Sequence, residues 1–410
     1  MSPPRAVGSM SAMTSHSISR RALAGGSLAA GVLLTVPGLP GTGTAAGRPG
    51  TGRAASDGLP RLDPRALERA VSDLTRPPAT SAQLRVGGTG GNWYGTAGVA
   101  DTRTGRPARA GDRIRAGSTT KAFVATVVLQ LVADRRVRLD DPIGRRLPGL
   151  LPPASGRITV AQLLNHTSGL PDHRGLPDES TPEAVIRHRF DQWTPREWVD
   201  TVTHDPLKFR PGTKQEYRGI NYVLLALLVQ ELTGQPYGEA VHDRVLRPLG
   251  LRRTLLPGDD TRLHGPHVHG YLRMTDGSVR DVTRYNPSVS WGEGELVSTV
   301  DDLDRFLDAL FSGVLLPSHV RAHMFTLPPK DVRMLDGTPA RYGMGLQTAT
   351  VNGVTFWGKT GEWAGYRTRM FSTRDGRRRF VLSFTPTPLN PAEDMTGRVA
   401  DALTQSPGAG

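Results

Sequence analysis

The chain has no cysteine in 410 residues. Disulfides, thiolate metal ligands and a cysteine nucleophile are therefore excluded. Lysine is almost as scarce. Lys121, Lys208, Lys214, Lys330 and Lys359 are the only ones, so arginine carries the formal charge of +13. No run of like charge exceeds Arg377-Arg378-Arg379, and no basic stripe is interleaved with aromatics, which argues against a nucleic-acid partner. The positive balance suits an anionic substrate or a polyanionic cell envelope instead. No apolar run is long enough to span a membrane. A Gly-x-Ser-x-Gly elbow is also missing, which argues against an α/β-hydrolase triad.

What is present begins with an export pattern. Ser19-Arg20-Arg21-Ala22-Leu23 leads into a mild apolar run ending at Val36, then Pro37 and small residues through Thr44-Ala45-Ala46. Residues 1–46 read as a twin-arginine-type signal, which implies a secreted or cell-envelope protein. Residues 47–60, rich in Gly, Ala and Arg, read as a linker.

Periodicity then predicts a helix opening at Asp63-Pro64, with Leu67, Ala70, Val71 and Leu74 on one face. Two strands, 83–87 and 93–99, make a hairpin across a Gly-rich turn. Helical patterns follow Ser118 to about Asp134, and cover 181–202, 222–232 and 237–245. A capped helix is expected over 301–311. Strands return at 353–361, 366–372 and 379–385, with Asp375-Gly376 as a turn, and a helix over 392–403 ends the chain. Strands at both ends with helices between predict an α+β fold: an antiparallel sheet built from both chain ends, flanked by helices, with an inserted mainly helical region over roughly 118–290.

The chemistry starts at Ser118-x-x-Lys121. Residues three apart share a helix face, so hydroxyl and amine can meet. A lysine held among Phe123, Val124, Val128 and Leu131 has its charged form disfavoured, which makes a neutral amine available as a base. The helix N-terminus favours negative charge developing on the serine oxygen. A serine helix cap beside a solvated lysine would give the same spacing. Lys359-Thr360-Gly361, in an expected strand, is the second element, able to bind a substrate carboxylate and to offer a backbone N–H towards Ser118.

Ser-x-x-Lys followed by Lys-Thr-Gly is the signature of the penicillin-binding proteins and serine β-lactamases. Asn165-His166-Thr167-Ser168-Gly169-Leu170, Pro211-Gly212-Thr213-Lys214, Asn221-Tyr222-Val223-Leu224-Leu225 and Leu296-Val297-Ser298-Thr299 resemble phrases of one branch of that superfamily. It contains the class C β-lactamases, the D-alanyl-D-alanine carboxypeptidases and related serine esterases. The resemblance covers about 62–403, within an expected domain of 61–405 with a β-lactamase/transpeptidase-like fold.

The resemblance implies an acyl-enzyme on Ser118, Lys121 as its partner base and Tyr217 as a proton-transfer group. It implies an oxyanion hole from the backbone N–H groups of Ser118 and Glu362, with Lys359, Thr360 and Gly361 binding substrate. The substrate would be a small peptide, amide, ester or β-lactam, with cell-wall peptide among them. No cofactor, metal or nucleic acid is implied, and a monomer is assumed. D-alanyl-D-alanine carboxypeptidase-like hydrolysis is the leading expectation. An esterase or weak class C-type β-lactamase is the second, and a penicillin-recognising binding protein with little turnover the third.

One departure stands out. The family's Tyr-x-Asn is here Tyr217-Arg218-Gly219. The resemblance assigns that asparagine to the substrate amide and the catalytic lysine, so its loss favours the esterase reading. Asn221 is a further candidate for its place, although it also fits the family's ordinary helix asparagine. His166 reads as structural, and His264, His267 and His269 lack carboxylates at ligand spacing. Trp291 and Glu293 are candidates for the cleft wall.

Overall fold

Along the last strands of the chain, successive apolar side chains enter two different cores, and this division organises the structure. In the computed structural model, which describes residues 59–405, both chain ends meet in one antiparallel sheet of seven strands. Near the N-terminus lie β1 (Ala79–Gly87), β2 (Trp93–Asp101) and the short β3 (Arg106–Pro107). From the C-terminal third come β4 (Gln347–Val351), β5 (Val354–Trp363), β6 (Tyr366–Thr373) and β7 (Arg379–Pro386). The order across the sheet is β4-β5-β6-β7-β1-β2-β3. The two chain ends are joined where β1 pairs with β7, with Leu84 opposite Leu382 and Val86 opposite Phe380.

The sheet is covered on both faces. α1 (Pro64–Ser72) and α5 (Thr396–Thr404) seal one side, where Leu67, Val71, Val399 and Leu403 pack with Phe380, Leu382 and Phe384. The alternate β7 residue Val381 faces the larger core, as side-chain alternation along a strand requires. That core holds α2 (Thr120–Ala133), α3 (Ile220–Thr233) and α4 (Val300–Ser312). Phe123 of α2 stacks on Phe306 of α4 with ring centroids 3.8 Å apart. α2 and α3 are buried nearly all round, which suits helices inside a layered core rather than on a surface.

Helix starts follow capping chemistry. Asp63 accepts the N–H groups of Arg65 and Ala66 ahead of Pro64, and Thr299 accepts that of Asp302. The helix expected over 181–202 is two, Pro182–His188 and Pro195–Asp200. Thr181 and Thr194 each cap a separate start, and Pro195 has no N–H with which to continue the first. The helix expected over 237–245 is α-helical at Tyr237–Val241 and widens into a π-turn at His242–Leu246. The last helix begins at Thr396 rather than 392, because the Asp394 carboxylate accepts the Thr396 N–H just before it. Edge strand β4 was not expected from the sequence.

The export signal and most of the linker lie outside the described residues. Among the described residues, no helix is long and apolar enough to cross a membrane.

Candidate active site

Two glycines let a strand lie directly on the turn that carries Ser118. Gly117 has φ +57°, and a Cβ there would sit 2.4 Å from the Glu362 carbonyl oxygen. A Cβ on Gly361 would meet the Ala116 carbonyl oxygen at 1.9 Å. Only glycine allows this approach. Ser118 therefore sits in a 3₁₀ turn, Gly117–Thr119, immediately before α2 and against β5. Thr119 Oγ1 donates to the Ala116 carbonyl (3.0 Å) and Thr120 Oγ1 to that of Gly117 (2.7 Å). The Leu296 N–H donates to Thr120 Oγ1 (3.0 Å), and Ala116 N–H to the Leu296 carbonyl (2.8 Å). The turn that carries Ser118 is thus tied to residues 293–296, far away in sequence.

One helical turn on, Lys121 is fully buried and its Nζ lies 3.0 Å from Ser118 Oγ. It also donates to the Glu293 carbonyl at 2.8 Å and to the Glu293 carboxylate. Burial pushes the Lys121 amine below its ordinary range, and the Glu293 charge and hydrogen bond pull it back up.

Tyr217 arrives from a loop held by other loops. Glu216 N–H donates to the His166 carbonyl (2.9 Å) and Arg218 N–H to His166 Nδ1 (3.2 Å), with His166 in the left-handed region at φ +62°. The Gln215 side chain bonds the backbone of Asn165, Arg341 and Tyr342. The Tyr217 ring lies between the two lysines, 5.0 Å from Lys121 Nζ and 4.6 Å from Lys359 Nζ. Among the described residues its hydroxyl is buried and completes no hydrogen bond. Burial and then the Glu293 charge raise it well above the ordinary phenol range, with the nearby Ser118 hydroxyl pulling the other way.

Lys359 is buried within β5, an interior strand, and donates to the Thr360 carbonyl (3.0 Å) and to Gln347 Oε1 (3.3 Å). Thr360 Oγ1 donates to the same Gln347 oxygen at 3.3 Å. Burial, and next the Lys121 charge, hold the Lys359 amine well below its ordinary range.

The structure thus brings Ser118, Lys121, Tyr217, Lys359, Thr360, Gly361 and Glu362 together around one turn. Asn221 does not join them. Its Oδ1 accepts from Ser168 Oγ (2.7 Å) and its Nδ2 meets His166 Nδ1 (3.1 Å), so the fully buried amide fastens the 166–168 loop to α3. One cleft group escaped the sequence reading and another was placed only in part. Gln347 comes from the unforeseen edge strand and had no sequence signal. Glu293 was named only as cleft wall, yet it binds Lys121. Its one signal was Gly219, which leaves it room. Among the described residues, no cluster of three or more His, Asp or Glu is placed to hold a metal. His264 and His269 each pair with one aspartate, Asp260 and Asp281.

The Beta-lactamase family profile matches residues 67–404. The chain belongs to that family. Its fold is the one that the β-lactamase and penicillin-binding protein superfamily shares. The chain is similar in structure to a D-stereospecific amidohydrolase from Streptomyces sp., with 33% identity, TM-score 0.72, and coverage of 83% of this chain and 98% of the other. It is similar also to the D-amino acid amidase of Ochrobactrum anthropi SV3, with 25% identity, TM-score 0.70 and the same coverages. Penicillin-binding protein 4* of Bacillus subtilis is 27% identical over 69% of this chain and 63% of its own length. A D-aminopeptidase of Gluconobacter oxydans is 29% identical over 65% of this chain and 48% of its own. The chain therefore spans about half to two thirds of the length of such curated relatives.

Proposed function

We propose that this protein is a D-stereospecific serine amidohydrolase, which forms an acyl-enzyme on Ser118 by cleaving the amide bond on the carboxyl side of a D-residue. The D-stereospecific amidohydrolase, the D-amino acid amidase and the D-aminopeptidase that the chain resembles are all named for D-residues, so the reading covers what these relatives have in common. The observation that carries the acyl-enzyme is the fully buried Lys121 amine 3.0 Å from Ser118 Oγ, and the preference for a D-residue is taken from the relatives. A neutral amine there takes the Ser118 proton as Oγ bonds the substrate carbonyl carbon. The oxygen thus made negative would be held by the Ser118 and Glu362 N–H groups. Collapse breaks the C–N bond, and the leaving nitrogen takes back the proton from Lys121, with the uncommitted Tyr217 hydroxyl placed to relay it. Water then repeats the attack on the ester, and Ser118 is restored. Lys359 and Thr360 would grip the substrate.

The twin-arginine pattern at residues 19–23 supports action outside the cytoplasm. Paired D and L amides, together with an acyl-D-Ala-D-Ala peptide, provide the test. Amine release from D substrates alone, abolished in Ser118→Ala, is the expected result. Equal turnover of L amides would overturn the stereochemical claim. An esterase reading is favoured by Gly219 and by similarity to the esterase EstB of Burkholderia gladioli, 34% identical over 44% of this chain. Hydrolysis of a short nitrophenyl ester without any amide turnover would select it.

A further inference from the structure

Glu293 and Gly219 form a matched pair around the Lys121 amine. Among the described residues, Glu293 is the one carboxylate in ion-pair contact with Lys121, from 172 positions away, and it binds through both its side chain and its main-chain carbonyl. The carboxylate lies against Gly219. A Cβ built there would sit 3.0 Å from Glu293 Cδ and 3.0 Å from Oε2, so any side chain at 219 presses on the carboxylate. The Glu293 backbone cannot easily retreat, because Leu296 is bonded on both sides to the Ser118 turn. The carboxylate thus sits where a side chain at 219 would crowd it.

The other groups that face this pair do not replace its charge. Around Lys121 lie the Ser118 hydroxyl, the rings of Tyr217 and Tyr222 at 5.0 and 5.8 Å, and the buried amine of Lys359 beyond Tyr217. His166, buried beside Tyr217, is held in its neutral form chiefly by burial and then by the two lysines. Glu293 is felt in turn by Lys359, Tyr217, Tyr237 and His173.

We propose that Glu293 is the positioning residue for the general base, fixing where Lys121 Nζ sits and setting the pH at which it gives up its proton. This rests on the reading of Ser118 as the acylated nucleophile. Before attack, the ammonium of Lys121 loses one proton to solvent. The neutral amine then accepts the Ser118 proton as the new C–O bond forms, and the carboxylate meets the ammonium so generated. Removing the carboxylate leaves burial to act alone on Lys121, which disfavours the charged form. The amine then becomes free at lower pH, and the acid limb of the acylation rate moves down.

The test is the pH profile of single-turnover acylation with nitrophenyl acetate, a substrate that does not titrate itself, with the thermal midpoint followed in parallel. Glu293→Gln should move the acid limb down by about one pH unit or more, as expected for loss of a contacting buried charge. Glu293→Asp should return it part of the way. Gly219→Ala keeps the carboxylate but presses it from its place, and should shift the limb in the same direction as Glu293→Gln. It also keeps the proposal testable if Glu293→Gln does not fold. An acid limb unmoved in folded Glu293→Gln and Gly219→Ala would overturn the proposal and leave Glu293 a structural residue. Absence of any Ser118 adduct in the wild type, at every pH, would instead overturn the acyl-enzyme reading itself.

Discussion

The approach of β5 to the turn that carries Ser118 is a tight non-local fit, and Gly361→Ala tests its importance. The added Cβ would lie 1.9 Å from the Ala116 carbonyl oxygen, with the Ala116 carbonyl carbon next at 3.0 Å. A carbon and a carbonyl oxygen rest at about 3.3 Å or beyond, so roughly 1.4 Å of separation must be found. Neither partner is a flexible side chain. β5 is paired on both sides, and Ala116 is bonded to Leu296. The strand and the turn must therefore move apart, which changes the distance from Ser118 to Lys359, Thr360 and the Glu362 N–H. A misplacement of about 1 Å costs on the order of 100-fold in rate, or about 2.7 kcal/mol of transition-state stabilisation. Overpacking a core costs about 1–3 kcal/mol, so the variant should fold with a midpoint lower by several degrees. Steady-state kcat/KM on an ester substrate, beside a thermal melt, measures both. Gly156→Ala is the control, since its Cβ would meet only the Gly144 Cα at 3.5 Å. Wild-type kcat/KM in a Gly361→Ala protein with an unchanged melt would refute the claim that this contact positions the site.

Other outcomes follow from the same geometry. Asn221→Ala leaves Ser168 and His166 with unmade hydrogen bonds in a buried place, and should lower stability by about 2–4 kcal/mol in denaturant titration while sparing kcat more than Thr360→Val does. Glu295, fully enclosed, accepts from the Tyr237 hydroxyl and from the Gly292 N–H at 2.9 Å, yet burial still raises its carboxyl from 4.5 to about 7. A carboxyl raised in the fold contributes stability that is complete below the unfolded value and is lost as pH climbs through 7. Relative to wild type, Glu295→Gln should therefore gain about 3 kcal/mol between pH 4.5 and 8. A constant difference across that range would contradict this. Lys121→Ala should lower the acylation rate by about 100-fold or more, as expected for loss of a general base, and near-normal acylation would remove the amine from the mechanism.

Much of this was legible because it is local. Ser118 and Lys121 are one helical turn apart, Lys359-Thr360-Gly361 is contiguous, and long apolar runs announce α2 and α3. The sheet was readable because β5, β6 and β7 are joined by short turns. What stayed hidden depends on chain segments meeting from afar. The sequence registered the absence of a side chain at Gly219, but not that a glutamate from another segment fills the space. Gln347 lies on a half-polar edge strand whose pattern resembles a loop, and its contacts with Lys359 and Thr360 exist only once β4 pairs with β5. The break in 181–202 was missed because the helical pattern on either side outweighed Thr194-Pro195, a cap and start that the structure obeys.

The central claim is a covalent bond at Ser118. Intact-mass analysis and peptide mapping after brief exposure to a slowly released acyl donor, such as a penicillin, together with a nitrophenyl ester, test it directly. A single adduct on the peptide containing Ser118, absent from Ser118→Ala, is the predicted result. Turnover of a substrate that persists in Ser118→Ala, or an adduct on any other residue, would contradict it.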